Sequence, residues 1–269
     1  MKNIIMRFPG NKKKALTLSY DDGVVFDKKL IEILDRYGIK CTFNINSGLF
    51  GTGRRLSESE AYEIYSGTSH EIAVHSLSHP DLTALSPERI SYEITEDRKN
   101  LEKLFGKIIK GMAYPYGTYN NNVTDVLKSS GIVYSRTTQT TGGFRIPENW
   151  LELPATCHHN DKNLMKYAEK FVNESPEKYS WLFYLWGHSY EFNDNDNWEV
   201  IEKFAEYMGK KEDIWYAANI EIYDYINAYN RLIFSYDGTL VTNPSAIDVY
   251  LEVDGNVVIA RAGESNLIL

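Results

Sequence analysis

Short apolar runs alternate with longer stretches of helical period along most of this chain, and no other feature restricts the fold as much. Strand-like runs fall at 15–20, 40–46, 70–75, 109–115, 132–138, 151–157, 181–187 and 214–218. Between them, Phe26, Leu30, Ile33, Leu34 and Tyr37 share one helix face, and Gly38 ends it. Ser86 is an N-cap and Pro87 a first helical residue for another helix, with Ile90, Ile94, Leu101 and Leu104 on its apolar face. Residues 197–207 and 220–229 repeat the period. Units of about 30 residues favour parallel strands joined by right-handed crossovers. Seven or eight such units within 269 residues suit an α/β barrel, typically ~250 residues, better than an open sheet.

The pattern changes near Arg231. Leu232–Tyr236, Asp237-Gly238 and Thr239–Val241 read as one hairpin, and Ala246–Val253, Asp254–Asn256 and Val257–Ala260 as a second. The expected division is a catalytic-size barrel over 1–230 and a β-hairpin extension over 231–269. A piece below about 40 residues rarely holds a core of its own. The extension is therefore expected to pack on the barrel or pair with another subunit.

Net charge is −8, and the densest basic run is Lys12-Lys13-Lys14. That balance argues against nucleic acid or an anionic membrane surface as a partner. Residues 1–9 are too short and too interrupted for the apolar segment of a signal peptide, and no run approaches the ~20 apolar residues of a membrane span. A soluble, cytoplasmic protein is the expectation. Cys41 and Cys157 both lie inside strand-like runs and read as reduced packing residues.

The residues that carry chemistry cluster at strand ends, where parallel α/β folds place their sites. Ser19-Tyr20-Asp21-Asp22-Gly23 closes the first run, and Gly23 permits a sharp turn. Adjacent carboxylates repel unless a cation or a shared proton relieves them, so this pair suggests one metal ligand and one base. A solvated turn is the alternative. His75-Ser76-Leu77-Ser78-His79 follows the third run. Histidines four apart in a helical turn point the same way and can share one metal. Asp22, His75 and His79 then make a two-histidine, one-carboxylate set with open coordination positions, which suits zinc. Pro115 and Gly117 bracket Tyr116 after the fourth run, so its amide can aim at a substrate oxygen. His188 ends the seventh run, where an imidazole can serve as general acid. An ordinary β-to-α turn at 116 and a satisfied structural histidine at 188 are the alternatives.

Together these motifs resemble the polysaccharide deacetylase family (carbohydrate esterase family 4). The family's Thr-Phe-Asp-Asp-Gly stands here as Ser19-Tyr20-Asp21-Asp22-Gly23, its paired histidines as His75 and His79, its Pro-Tyr-Gly as Pro115-Tyr116-Gly117, and its strand-terminal histidine as His188. The order agrees over about 15–220. The resemblance implies a distorted barrel of seven or eight β/α units. It also implies a metal-dependent hydrolase that removes N-acetyl groups from an amino-sugar-containing poly- or oligosaccharide. Asp22, His75 and His79 would hold a divalent metal, most readily Zn2+. Asp21 would be the base that activates water, Tyr116 N–H part of the oxyanion hole, and His188 the acid. The implied partner is an N-acetylated glycan. The alternatives are a small cyclic amide cleaved at another non-peptide C–N bond, and a non-catalytic glycan-binding protein of the same fold.

Three positions depart from the family pattern. Ala113 stands where the family often has an arginine contacting the base. Asn149-Trp150 only partly echoes the Asp-Trp that supports the catalytic histidine, and Trp186 replaces the usual leucine. Glu191, three residues after His188, is a substitute partner for that imidazole. Cys157-His158-His159-Asn160-Asp161 follows the sixth run and should share the same rim, as a substrate-contact or exposed segment, with a second metal site as the further alternative. His70 precedes the third run, so it belongs at the opposite end of the barrel.

Overall fold

The computed structural model describes residues 2–268. The central strands are β1 (Ile4–Arg7), β2 (Lys14–Asp21), β3 (Cys41–Ile45), β4 (Glu71–Val74), β5 (Gly111–Ala113), β6 (Tyr134–Thr140), β7 (Leu153–Ala155), β8 (Cys157–His158), β9 (Trp181–Gly187) and β10 (Ile214–Tyr216). All but β1 join one parallel sheet in the order β7-β6-β5-β4-β3-β2-β9-β8. β10 pairs with Lys14–Leu16 of β2, and β3 pairs with Leu18–Asp21. Every run expected from the sequence is thus a parallel strand.

The ladder does not close into a complete barrel. Its two edges, β7 and β8, are nevertheless consecutive in the chain. Thr156 between them donates its N–H to Tyr184 O at 2.8 Å, so one short run turns from β6 towards β9. The distortion follows from that local switch of partner.

The crossover helices are α1 (Asp27–Arg36), α2 (Glu58–Tyr65), α3 (Pro87–Phe105), α4 (Asn121–Ser129), α5 (Leu164–Asn173), α6 (Ser189–Asp194), α7 (Glu199–Met208) and α8 (Asn219–Asn230). Ser86 Oγ accepts from Arg89 N, and Gly106 at φ 63° stops α3 in the left-handed conformation that glycine tolerates. β2 is buried along its whole length, as expected for a strand covered on both faces. Leu18, Tyr20, Phe43, Phe183 and Leu185 are fully buried in the same core as Leu30, Ile94 and Phe204 of the surrounding helices. Full burial of a leucine or phenylalanine side chain contributes about 1.5–3 kcal/mol. No described helix is long and apolar enough to cross a membrane.

Both expected hairpins form, as β11 (Ile233–Phe234) with β12 (Leu240–Thr242), and as β13 (Val249–Val253) with β14 (Asn256–Ala260). A final strand, β15 (Ser265–Leu267), pairs with β12. The sequence reading assigned no strand to β1, yet it pairs antiparallel with β13, and Arg7 and Glu252 form a salt bridge of 2.9 Å across that pair. Met6, Phe8, Tyr225, Val249 and Leu251 share a second apolar cluster there. Cys41 and Cys157 are buried free thiols.

Candidate metal centre and active site

Asp21 is the last residue of β2, and Asp22 turns away from it at φ 83°. A positive φ is unusual for aspartate and marks a site held by its surroundings. Asp22 N–H donates to Asn44 O at 2.9 Å. Gly23 follows at φ 62°, where a Cβ would lie 3.0 Å from Ile45 Cγ2. The turn therefore sends the two carboxylates in different directions, and both are buried. Asp21 Oδ1 accepts from Asn44 Nδ2 at 2.8 Å, and Oδ2 accepts from the Arg136 guanidinium. Burial pushes the Asp21 carboxyl up, but the opposing charge of Arg136, with His75 and His188 beyond it, brings the net shift below the ordinary carboxylate range. Asp22 Oδ1 lies 3.1 Å from Arg55 Nη2 and 3.8 Å from His79 Nε2.

The segment from His75 to His79 is not the helical turn expected from the spacing. Ser76 and His79 both adopt positive φ, 65° and 58°, and the chain folds back as an irregular loop. Side chains impose that shape. Asn46 Nδ2 donates to the carbonyls of His75 and Ser76, Asp97 Oδ2 accepts from His75 N at 3.1 Å, and Glu93 Oε2 accepts from Ser78 N at 2.9 Å. The two imidazoles still meet, with ring centroids 4.8 Å apart. His75 Nδ1 is 2.8 Å from Ala113 O, which fixes the proton on Nδ1 and leaves the Nε2 lone pair for another partner. Burial, then the neighbouring His75, holds His79 down to about 4. Asp22, His75 and His79 each offer a ligand atom, all within 4.8 Å of one another. A carboxylate with two imidazoles in one small volume fits a divalent cation such as zinc.

Tyr116 lies beside this trio at φ 58°, its ring 4.7 Å from that of His79 and largely exposed. Gly117 is obligatory, because a Cβ there would sit 2.3 Å from Thr138 Oγ1.

His188 caps the N-terminus of α6. Its Nε2 lies 3.8 Å from Asp21 Oδ2, and its Nδ1 lies 2.9 Å from Glu191 Oε1. Asn149 supplies no such partner, since its side chain accepts from Leu151 N within its own turn. Burial lowers the His188 imidazole, but the Glu191 hydrogen bond and the charges of Asp21 and Asp22 outweigh it and raise it above its ordinary value. Glu191 also lies 2.8 Å from His159 Nε2 and 3.4 Å from His158 Nε2. His159 is buried between Tyr20 and Phe192, and Gly187 makes room for it: a Cβ at 187 would be 2.0 Å from His159 Nδ1. The 157–161 segment therefore shares the rim as expected, but His159 faces inward.

Asn44, Arg136, Asp97 and Arg55 escape the sequence reading. For two of them a signal exists. Asp97 shares the helix face of Ile90, Ile94 and Leu101, where an acidic residue needs a buried partner. Arg136 interrupts a strand and is wholly buried.

Residues 9–135 match the description of the polysaccharide deacetylase family, a span that holds Asp21, Asp22, His75, His79 and Tyr116. Over this span the chain is similar to the polysaccharide deacetylase family. The match stops before His188. Chitin deacetylase 1 of Cryptococcus neoformans var. grubii is 33% identical over 122 residues, covering 45% of this chain and 25% of its own. The poly-beta-1,6-N-acetyl-D-glucosamine N-deacetylase of Staphylococcus aureus is 29% identical over 145 residues, covering 48% of each chain. The chain spans about half or less of the length of the curated relatives it matches. The Xyl-CE4 domain of a multidomain xylanase from the hindgut metagenome of Trinervitermes trinervoides superposes with a TM-score of 0.56 at 19% identity. That superposition covers 81% of this chain and 93% of the other, and it shows a common fold.

Proposed function

We propose that this chain removes N-acetyl groups from an amino-sugar-containing poly- or oligosaccharide. One observation carries the reading. The clustered donor atoms of Asp22, His75 and His79 adjoin two proton-transfer groups, with Asp21 Oδ2 only 3.9 Å from His75 Nε2 and 3.8 Å from His188 Nε2. Asp22, His75 and His79 would hold a divalent cation, and the donor set suits zinc. Such a cation, when bound, supplies Lewis acidity to the acetyl carbonyl and to the attacking water.

Asp21 takes the proton of that water. Asn44 and Arg136 each fix one of its oxygens, so the carboxylate is ionised and oriented before substrate arrives. Tyr116, held at positive φ between Pro115 and Gly117, presents its amide to the oxyanion of the tetrahedral intermediate. His188 gives its proton to the departing amine, and Glu191 keeps the imidazole charged and correctly turned. The names of the relatives, acting on chitin and on poly-β-1,6-N-acetylglucosamine, favour an N-acetylated glycan as substrate.

Acetate release tests this reading. N-acetylglucosamine oligomers, an O-acetylated saccharide and a cyclic ureide are compared with chelator, without it, and after zinc is restored. Release from the N-acetyl oligomer that chelator abolishes and zinc restores is the expected result. Ring opening of the ureide without acetate would replace the glycan by a small cyclic amide. Glycan binding by the zinc-loaded protein without acetate release would make it a non-catalytic binder.

A further inference from the structure

Trp186 touches both sides of the site. Its ring lies 4.3 Å from the Arg136 guanidinium carbon, 4.5 Å edge-on from the ring of His158, and 5.9 Å from that of His188. Its indole Nε1 is buried with no hydrogen-bond partner. Buried indole N–H groups usually find an acceptor, so this side chain is held by its faces and edges rather than by a polar anchor.

The arginine it covers is unusual in the same way. Arg136 is fully buried, donates to Asp21 Oδ2 and, at 3.3 Å, to Thr137 O, and leaves its Nε unpartnered. A guanidinium is planar, and an aromatic face is the one apolar surface that attracts it. The two strands that carry these residues lie on opposite sides of β2 in the sheet. Arg136 must therefore reach across the interior to Asp21, and the indole face supports it there. From its other side, the same indole meets the imidazole that Glu191 orients.

We propose that Trp186 is a positioning residue that holds the Arg136 guanidinium against Asp21 and sets the base at its working distance from His188. The proposal rests on the reading of Asp21 and His188 as base and acid. Trp186 acts through Arg136 on one side and through ring contact with His188 on the other. A leucine at 186 would fill part of the space but offer no face to the cation.

A double-mutant cycle tests it, with acetate release from N-acetylglucosamine oligomers and zinc content measured for every variant. Trp186→Leu should lower kcat about 10- to 100-fold, with KM and zinc content within about twofold of wild type, as expected for misplaced reacting groups. Trp186→Phe keeps an aromatic face and should recover most of the loss. Arg136→Lys should also lower kcat, and the Trp186→Leu/Arg136→Lys pair should fall short of the product of the two losses by at least about threefold, because both remove one contact. Multiplicative losses, or a Trp186→Leu kcat within twofold of wild type, overturn the proposal. Should Trp186→Leu fail to fold, Trp186→Met, which likewise offers the cation no aromatic face, takes its place in the cycle with Arg136→Lys. Asp21→Asn is measured alongside. Undiminished turnover there removes the base assignment, whereas an inactive Asp21→Asn with a multiplicative cycle removes only the role of Trp186.

Discussion

Glu191 Oε1 stands 2.9 Å from His188 Nδ1, one turn along the short helix that the histidine caps. That bond fixes the proton on Nδ1 in the neutral ring and leaves Nε2 facing Asp21. It also favours the charged imidazole, which an acid must be before it gives up a proton. Glu191→Gln keeps the shape and an acceptor oxygen but removes the charge. The His188 value should then fall, and the basic limb of the kcat/KM profile should move to lower pH. A pH–rate profile on a soluble N-acetylglucosamine oligomer checks this, and a basic limb that stays in place refutes the pairing.

Asp21→Asn separates base from ligand. The clustered donor atoms belong to Asp22, His75 and His79, so zinc content should stay near that of wild type. Loss of the base should lower kcat by at least about 100-fold. Arg136 would keep an amide oxygen but lose its counter-charge, and weakening a buried pair in this way costs up to about 3–5 kcal/mol. The variant should therefore unfold at lower urea as well, and its rate is to be measured where it is folded. Wild-type turnover by zinc-loaded Asp21→Asn sinks the assignment.

How far the sequence carries depends on the range of the interactions. Strand and helix positions were legible because their burial is written locally, as an apolar run within the eight residues of β2 and as a helical period along the 19 residues of α3. Asp21, Asp22, His75, His79, Tyr116 and His188 were legible because each sits at a strand end inside a short motif. The shape of the 75–79 loop was not, because it is imposed by Asn46, Glu93 and Asp97 from elsewhere in the chain. Arg136 lies 115 positions from Asp21, and only the sheet order brings them together. Nothing local announces β1 either, since its partner is at the other end of the chain.

Asp97 offers a test of that long-range support. Its two oxygens accept from Ser47 N at 2.7 Å and from His75 N at 3.1 Å, so it ties the backbone of one candidate ligand to the β3–α2 connection. Asp97→Asn turns one acceptor into a donor facing an N–H. Zinc affinity should fall about tenfold, the lower end of what outer partners of metal ligands contribute. Competition with a chromogenic chelator measures it, and an unchanged dissociation constant excludes the role.

The last prediction concerns stability. Burial pushes Asp27 up to about 7, although Ser189 and Tyr65 both donate to it. An unfolded aspartate titrates near ~4. Between about pH 4 and pH 7 the folded protein therefore keeps a proton that the unfolded chain has released, and folding stability from this group declines as pH rises. The contribution is complete below the unfolded value and gone above the folded one. His79 and His158, both held down to about 4 by burial, act in the opposite sense over part of the window, so the wild-type curve alone is ambiguous. Asp27→Asn isolates the effect, because the amide imitates the protonated acid at every pH. Each pH unit between the two values is worth about 1.4 kcal/mol. From pH 5 to pH 8, the unfolding free energy of the variant relative to wild type should rise by about 2–3 kcal/mol in urea titrations. A difference that is the same at both pH values would mean that Asp27 is already ionised in the folded protein at pH 5.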